Sequence, residues 1–233
     1  MKILVTGAKG FVGKNLISEL HNKGYNEIFE YDVETEKTLL ETYTKQCQFV
    51  FHLAGVNRPK DEKEFMEGNF GFTSELLEQL KKHGNKSPVL ITSSIQAEKE
   101  NPYGLSKKAG EELLFKYGRE TNATVYVYRL ANLFGKWSRP NYNTVVATFC
   151  HNIARDIEIK INDPDYELIL CYIDDVVEEF IKALEGVPTR SKEFCEVPVT
   201  HKIKLGRLAD TIRNFKESRL NLSVPELNDP LIK

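Results

Sequence analysis

The chain has 233 residues, 41% of them hydrophobic and 28% charged, with a formal net charge of −2. That length is enough to bury a full core, and the composition is that of a soluble globular protein. The near-neutral balance gives no electrostatic case for nucleic acid or an anionic membrane as the main partner, and no window reaches the apolar length of a membrane span.

Met1-Lys-Ile-Leu-Val-Thr-Gly7 reads as a first strand and not as a signal peptide, because its apolar run is short and ends in a glycine. Runs rich in Ile, Val, Phe and Tyr then alternate with longer amphipathic stretches. Strands are expected over Ile3–Thr6, Glu27–Asp32, Gln48–Leu53, Pro88–Thr92 and Thr124–Leu130. Helices are expected over Phe11–Asn22, Glu62–His83 and Tyr103–Thr121, with Gly24 and Gly84 where helix-ending glycines belong. This alternation predicts an α/β fold with a parallel sheet covered on both faces.

Beyond Gly135 the pattern loosens. A helix near Tyr142–Arg155 precedes short strands near Glu158–Ile161 and Glu167–Tyr172. Helices near Asp174–Leu184 and Leu205–Ser218 follow, then an irregular tail from Ser223 that holds Pro225 and Pro230. The expected organisation is one unit over 1–233, with a cofactor-binding part over residues 1–135. Residues 166–200 return in part to that region, and the remaining C-terminal segments form a small substrate-binding lobe. Cys47, Cys150, Cys171 and Cys195 lie far apart, and they and the scattered histidines lack metal-site spacing. Free, mostly buried thiols in a reducing cytoplasm, with no bound metal, are expected.

Thr6-Gly7-Ala-Lys9-Gly10-Phe11-Val12-Gly13 follows the first strand directly and opens the first helix. Three glycines at this spacing also make ordinary turns, so the context decides. Gly7 allows a tight turn, Gly10 lets backbone approach a pyrophosphate, and Gly13 lets helix pack on strand. The anion then rests on N–H groups of the first helical turn, where Phe11 and Val12 lie. Asp32 ends the second strand nineteen residues after Gly13, near the spacing of about 20 for an acid that binds ribose. Strand, glycines, helix and acid in this order predict a Rossmann-type doubly wound sheet that binds a dinucleotide. Asp32 accepts hydrogen bonds from a free 2′-hydroxyl and favours NAD(H), whereas Lys9 pairs with a 2′-phosphate and favours NADP(H). The bland readings are an exposed strand-end acid and a solvated loop lysine.

Tyr103-Gly-Leu-Ser-Lys107 places a phenol and an ammonium four residues apart, on one face of a helix. A nearby cation is expected to lower the phenol's pKa. Chance supplies about one such pair among ten tyrosines, so the spacing carries little by itself. Its place downstream of the glycine loop, after Leu90-Ile-Thr-Ser-Ser94 at the end of a strand, carries more. Ser94 is positioned to hydrogen-bond a reacting oxygen. The competing reading is a Ser/Thr-rich strand end with a helix-capping tyrosine.

Thr6–Gly13, Phe51-His-Leu-Ala-Gly55, Asn69, Ser94, Tyr103-x-x-x-Lys107 and Tyr128-Arg-Leu-Ala-Asn132-Leu-Phe-Gly135 occur in the order of extended short-chain dehydrogenases, a family that this chain resembles over most of its length. The resemblance implies that Leu53, Ala54, Gly55 and Leu130 line the cofactor with the glycine loop. It implies that Asn69 supports the active-site face and that Asn132 contacts a nucleotide-sugar diphosphate. Tyr172-Ile-Asp-Asp175 resembles a later marker segment, but Leu168-Ile-Leu170 stands where many relatives carry an arginine.

His52-Leu-Ala-Gly-Val-Asn57-Arg58-Pro59, Ser93-Ser-Ile-Gln-Ala97, Asn132-Leu-Phe-Gly-Lys136-Trp137 and Pro140-Asn-Tyr-Asn143 resemble capsule-synthesis reductases of the CapF type. That likeness implies NADPH-dependent reduction of the C4 ketone of a UDP-2-acetamido-2,6-dideoxy-hexos-4-ulose, on the way to UDP-N-acetyl-L-fucosamine. It places Asn57 and Arg58 beside sugar or cofactor, and Lys136 and Trp137 in the substrate lobe. A loop salt bridge for Arg58 and a core position for Trp137 are the bland alternatives. Such enzymes usually continue into a metal-binding cupin domain, whereas this sequence stops at Lys233 with a linker-like tail. Relatives commonly dimerise through the helices after Asn69 and Tyr103, which implies a homodimer.

Among the family's reactions, dehydration calls for an Asp-Glu pair after the strand that supplies the Ser or Thr. Here Ser94 is followed by Ile95-Gln-Ala97, with no carboxylate before Glu98. Simple ketone reduction is the expected activity. A C4 epimerase with retained NAD and a non-catalytic cofactor sensor are the alternatives.

Overall fold

Ile3, Leu4 and Val5 are fully buried, the pattern of a strand covered on both faces. The computed structural model describes residues 1–142, 144–225 and 227–233. It places that run as β1 (Ile3–Thr6), followed by α1 (Phe11–Asn22), β2 (Ile28–Tyr31), α2 (Thr38–Gln46) and β3 (Phe49–His52). A helical stretch comes next, made of α3 (Lys63–Phe65), a π-helical segment (Met66–Gly71) and α4 (Phe72–Lys82). Then come β4 (Val89–Ser94), a 3₁₀ turn (Ile95–Glu98), α5 (Pro102–Thr121), β5 (Val125–Leu130) and β6 (Asn132–Phe134). The remaining elements are α6 (Val145–Ala154), β7 (Glu167–Tyr172), α7 (Ile173–Leu184), β8 (Arg190–Ser191), β9 (Phe194–Cys195), β10 (His201–Lys204) and α8 (Leu205–Asn221).

Two compact units result, Met1–Leu130 with Asp174–Pro198, and Ala131–Ile173 with Val199–Lys233. In the first, seven strands lie in the order β2-β1-β3-β4-β5-β9-β8, all pairs parallel except β8 with β9. The chain passes from β2 on one side of β1 to β3 on the other. Loops leaving the ends of β1 and β3 therefore diverge, which is where a doubly wound sheet opens a binding crevice. One face of the sheet is sealed by Leu40, Leu76, Leu80, Leu114 and Tyr117 against Leu4, Val50 and Val127. On the other, the rings of Phe51, Phe180 and Tyr128 pack together. Leu76, Leu77, Leu80 and Leu114 thus serve this core, with Leu113 packed against it. Gly24 and Gly84 follow α1 and α4 at φ +85° and +60°, conformations that suit glycine.

The second unit is a three-stranded sheet, β10-β7-β6, whose core unites Phe149 and Ile153 of α6 with Leu168, Leu170, Ile203, Leu208 and Ile212. No strand forms over Glu158–Ile161, contrary to expectation. Ile159 and Ile161 pack partly buried against that core. Their alternation thus satisfies a hydrophobic surface without a partner strand. The α2 helix was not foreseen, because it buries only Leu40 and Thr44 and has no side-chain cap. Among the described residues, no helix is long and apolar enough to cross a membrane.

Candidate active site

The glycine loop is built as its spacing demands. Gly7 has φ +68°, and a Cβ there would lie 2.7 Å from the Ala54 nitrogen, on the segment leaving β3. A Cβ on Gly13 would lie 2.3 Å from the Gly7 oxygen, so only glycine lets α1 sit this close to the turn. Gly10 stands at the N-cap, and no side chain caps the first turn, which contains Phe11, Val12 and Gly13. Backbone this close, with an uncapped helix start, fits a dinucleotide pyrophosphate.

Asp32 accepts the Lys9 N–H and the Val33 N–H, each at 2.8 Å, and so ties the end of β2 to the loop. The Lys9 ammonium reaches Glu34 at 2.5 Å on the exposed surface, and that hydrogen bond raises its pKa. Glu34 was missed in the sequence. The available signal was a second acid two residues past Asp32, near a loop lysine in space but 25 residues away along the chain.

The three candidate residues, Ser94, Tyr103 and Lys107, come together at the end of β4 and the start of α5. Asn101 caps α5 by accepting the Gly104 N–H at 2.8 Å, and Pro102 opens the helix. A Cβ on Gly104 would lie 2.2 Å from the Gln96 oxygen, so glycine lets the helix start press against the turn that follows Ser94. Ser94 is paired in register with Leu130 of β5. Lys107 donates to the Thr92 carbonyl at 3.1 Å, and its ammonium lies 6.0 Å from the Tyr103 ring centre.

Burial raises the Tyr103 pKa, and a hydrogen bond with Ser94 opposes that rise. The expected lowering by Lys107 is not what governs the phenol. Desolvation outweighs other influences, and Tyr103 holds its proton at neutral pH. Burial pulls Lys107 itself down to about 8, with Glu111 opposing.

Leu53, Ala54 and Gly55 leave β3 beside this trio, and a Cβ on Gly55 would lie 2.8 Å from Asn69 Oδ1 and 2.9 Å from Lys107 Nζ. Asn69, in the π-helical segment, accepts the Val56 N–H at 2.9 Å and donates to the Val56 carbonyl at 3.1 Å and to Ser106 Oγ at 2.9 Å. Behind Ser94, the buried Glu111 accepts from Ser93 and is gripped by Arg129 through bonds of 2.9 and 2.6 Å. Arg129 also holds Glu98 at 2.9 Å.

Asn57 and Arg58 are exposed on the loop after β3 in the same unit. Within the second unit, Asn132 opens β6 and donates to the Ile169 carbonyl at 3.1 Å. Lys136 is exposed, and Trp137 is 57% exposed at φ +67°, so it is not a core aromatic. Leu168 and Leu170 are buried in that unit's core. Asn143 lies outside the described residues.

The NAD dependent epimerase/dehydratase family model matches residues 3–193, and the chain belongs to that family. Over its whole length it is 46% identical to the UDP-2-acetamido-2,6-beta-L-arabino-hexul-4-ose reductase of Pseudomonas aeruginosa, spanning 62% of that protein. The crystal structure of the capsular polysaccharide assembling protein CapF from Staphylococcus aureus matches with a TM-score of 0.91 and 46% identity, over 100% of this chain and 63% of that one. The UDP-glucose 4-epimerase of Thermotoga maritima shares the fold at 23% identity and a TM-score of 0.81, over 92% of this chain and 82% of that one.

Proposed function

We propose that this chain is an NAD(P)H-dependent reductase acting on the C4 ketone of a UDP-2-acetamido-2,6-dideoxy-hexos-4-ulose, in the synthesis of capsular polysaccharide precursors of the UDP-N-acetyl-L-fucosamine kind. One observation carries the reading: Ser94, Tyr103 and Lys107 meet where the nearest downstream carboxylate, Glu98, is bound to Arg129 at 2.9 Å. Elimination needs a second acid–base group beside the serine, and Glu98 is engaged elsewhere. Bound nicotinamide supplies the hydride. Tyr103, kept protonated by burial, donates a proton to the sugar oxygen, while Ser94 hydrogen-bonds that oxygen. Lys107 holds positive charge beside the phenol and would hold the ribose of a bound cofactor. The relative with 46% identity carries a reductase name, and the epimerase named above shares only the fold.

The glycine loop, Asp32 and Leu53–Gly55 with Leu130 hold the cofactor in this reading. Asn57 and Arg58 in the first unit, and separately Asn132, Lys136 and Trp137 in the second, are the residues proposed to contact the UDP-linked amino sugar. Family likeness and Lys9 favour NADP(H). Glu34 must release Lys9 before a 2′-phosphate can use it, so NAD(H) is an accepted alternative. The organisation proposed is a single reductase unit of the extended type, a cytoplasmic homodimer.

The test is to mix the protein with NADPH or NADH and a UDP-4-keto-6-deoxy amino sugar and follow the nicotinamide absorbance. Cofactor oxidation matching sugar reduced one for one supports reduction. Interconversion of sugars without net oxidation means epimerisation, and cofactor binding without turnover means a sensor.

A further inference from the structure

Between the glycine loop and the catalytic face lies a buried titratable side chain that the proposed reaction does not use, His52 at the end of β3, 1% exposed. Its Nδ1 is 2.8 Å from Thr6 Oγ1, and its Nε2 is 2.9 Å from Thr73 Oγ1. The Thr73 hydroxyl has one proton, and it goes to the Asn69 carbonyl at 2.5 Å. Thr73 Oγ1 can then only accept from the ring, so Nε2 carries the hydrogen. Nδ1 is left bare and accepts the Thr6 hydroxyl proton, while Thr6 Oγ1 accepts the Ala54 N–H at 3.3 Å.

The donor count therefore gives the whole chain one direction, Ala54 to Thr6 to His52 to Thr73 to Asn69. From Asn69 it continues through Ser106, which donates to the Tyr103 carbonyl at 2.8 Å. Burial and the nearby Lys107 charge both disfavour a second ring proton. A relay satisfied at every member is rigid, and here it joins the end of β1, the end of β3 with Ala54 beyond it, the π-helical segment, the start of α4 and the first turn of α5.

We infer that His52 is a positioning residue, whose single neutral tautomer, with hydrogen on Nε2, registers the glycine loop against the turn that presents Tyr103 and Lys107. The kinetic part of this role rests on the reductase reading above, whereas the tautomer and the cofactor affinity are read without any sugar.

The full chain labelled with ¹⁵N in its imidazoles, with His52 assigned by its loss in His52→Gln, reports the ring state by NMR. The expected spectrum has protonated Nε2, bare Nδ1 and no titration between about pH 5 and pH 8, the range in which ordinary histidines change charge. Protonated Nδ1, or a midpoint inside that range, overturns the tautomer assignment. For the role itself, His52→Phe keeps a ring without nitrogens. Thr73→Val, which removes the acceptor of the Nε2 hydrogen, replaces it if the first variant does not fold. Either is expected to weaken NADPH or NADH binding about tenfold and lower kcat about tenfold with the sugar KM unchanged, partly recovered in His52→Gln. A folded variant with Kd and kcat within about twofold of the unaltered protein, and only a lower Tm, overturns the role. If the unaltered protein reduces no ketone yet shows the locked ring and the Kd response, the reductase reading falls and the His52 assignment stands.

Discussion

At Tyr103 two influences oppose each other: burial, with the Phe65 ring 5.6 Å away, keeps the proton on, and the Ser94 hydrogen bond draws the pKa back. A phenol held protonated is suited to donate, so Tyr103→Phe should lower kcat for ketone reduction by about 10²–10⁴ while the cofactor Kd is unchanged, as steady-state kinetics and calorimetry would show. Lys107 titrates near 8, so activity that needs its charge should fall as pH rises through about 8. Its folded pKa lies below the ordinary 10.5, so burying the ammonium costs stability below 8, and that cost is relieved as pH rises toward 10.5. The shift corresponds to about 3–3.5 kcal/mol. Lys107→Met should therefore raise the Tm at neutral pH while abolishing reduction. At the cofactor's ribose end, Glu34→Gln would release Lys9, and the ratio of kcat/KM for NADPH over NADH should rise by about threefold or more at low salt, less at high salt. An unchanged ratio would remove Glu34 from cofactor selection.

Close contacts between elements set the geometry around Ser94, Tyr103 and Lys107. The approach of α5 to the turn after β4 depends on Gly104, since a methyl there would meet Gln96 and Lys99 carbonyls at 2.2 and 2.6 Å. Gly104→Ala must push the first turn of α5 away, and displacements near 1 Å cost about 10²-fold in rate. The expected result is a fall in kcat of that order with cofactor affinity retained. The strands and helices that frame this region were legible because their periodicity is strong: Ile3–Thr6 and Phe11–Asn22 match the observed β1 and α1. Two-residue strands such as β8, and the weakly apolar α2, carry too little pattern to be read. The glycine loop was legible because its chemistry is local. The relay through His52 and the Arg129–Glu111 grip were not, because their partners lie 46, 21 and 18 residues apart and only the sheet brings them together.

For the whole molecule, the buried relay makes acid the direction of weakness. Burial holds the His52 pKa at about 3 against an ordinary 6.5, so its neutral form stabilises the fold fully above 6.5 and less as pH falls toward 3. At pH 5 the loss is about 2 kcal/mol. The Tm should drop between pH 7 and pH 5, and His52→Gln should flatten that drop. The relatives with 46% identity extend beyond the matched span, of which this chain covers 62% and 63% of their lengths. The leucines of α4 and α5 pack into the core, so the proposed homodimer would have to use the other sides of those helices; light scattering at twice the mass of the chain would support it, and the mass of one chain would overturn it. With reduced cofactor carrying deuterium at the transferable position, one deuteron should appear at C4 of the UDP-sugar for each cofactor oxidised. A product without that label, or sugars interconverted while the reduced cofactor persists, would contradict ketone reduction by this chain.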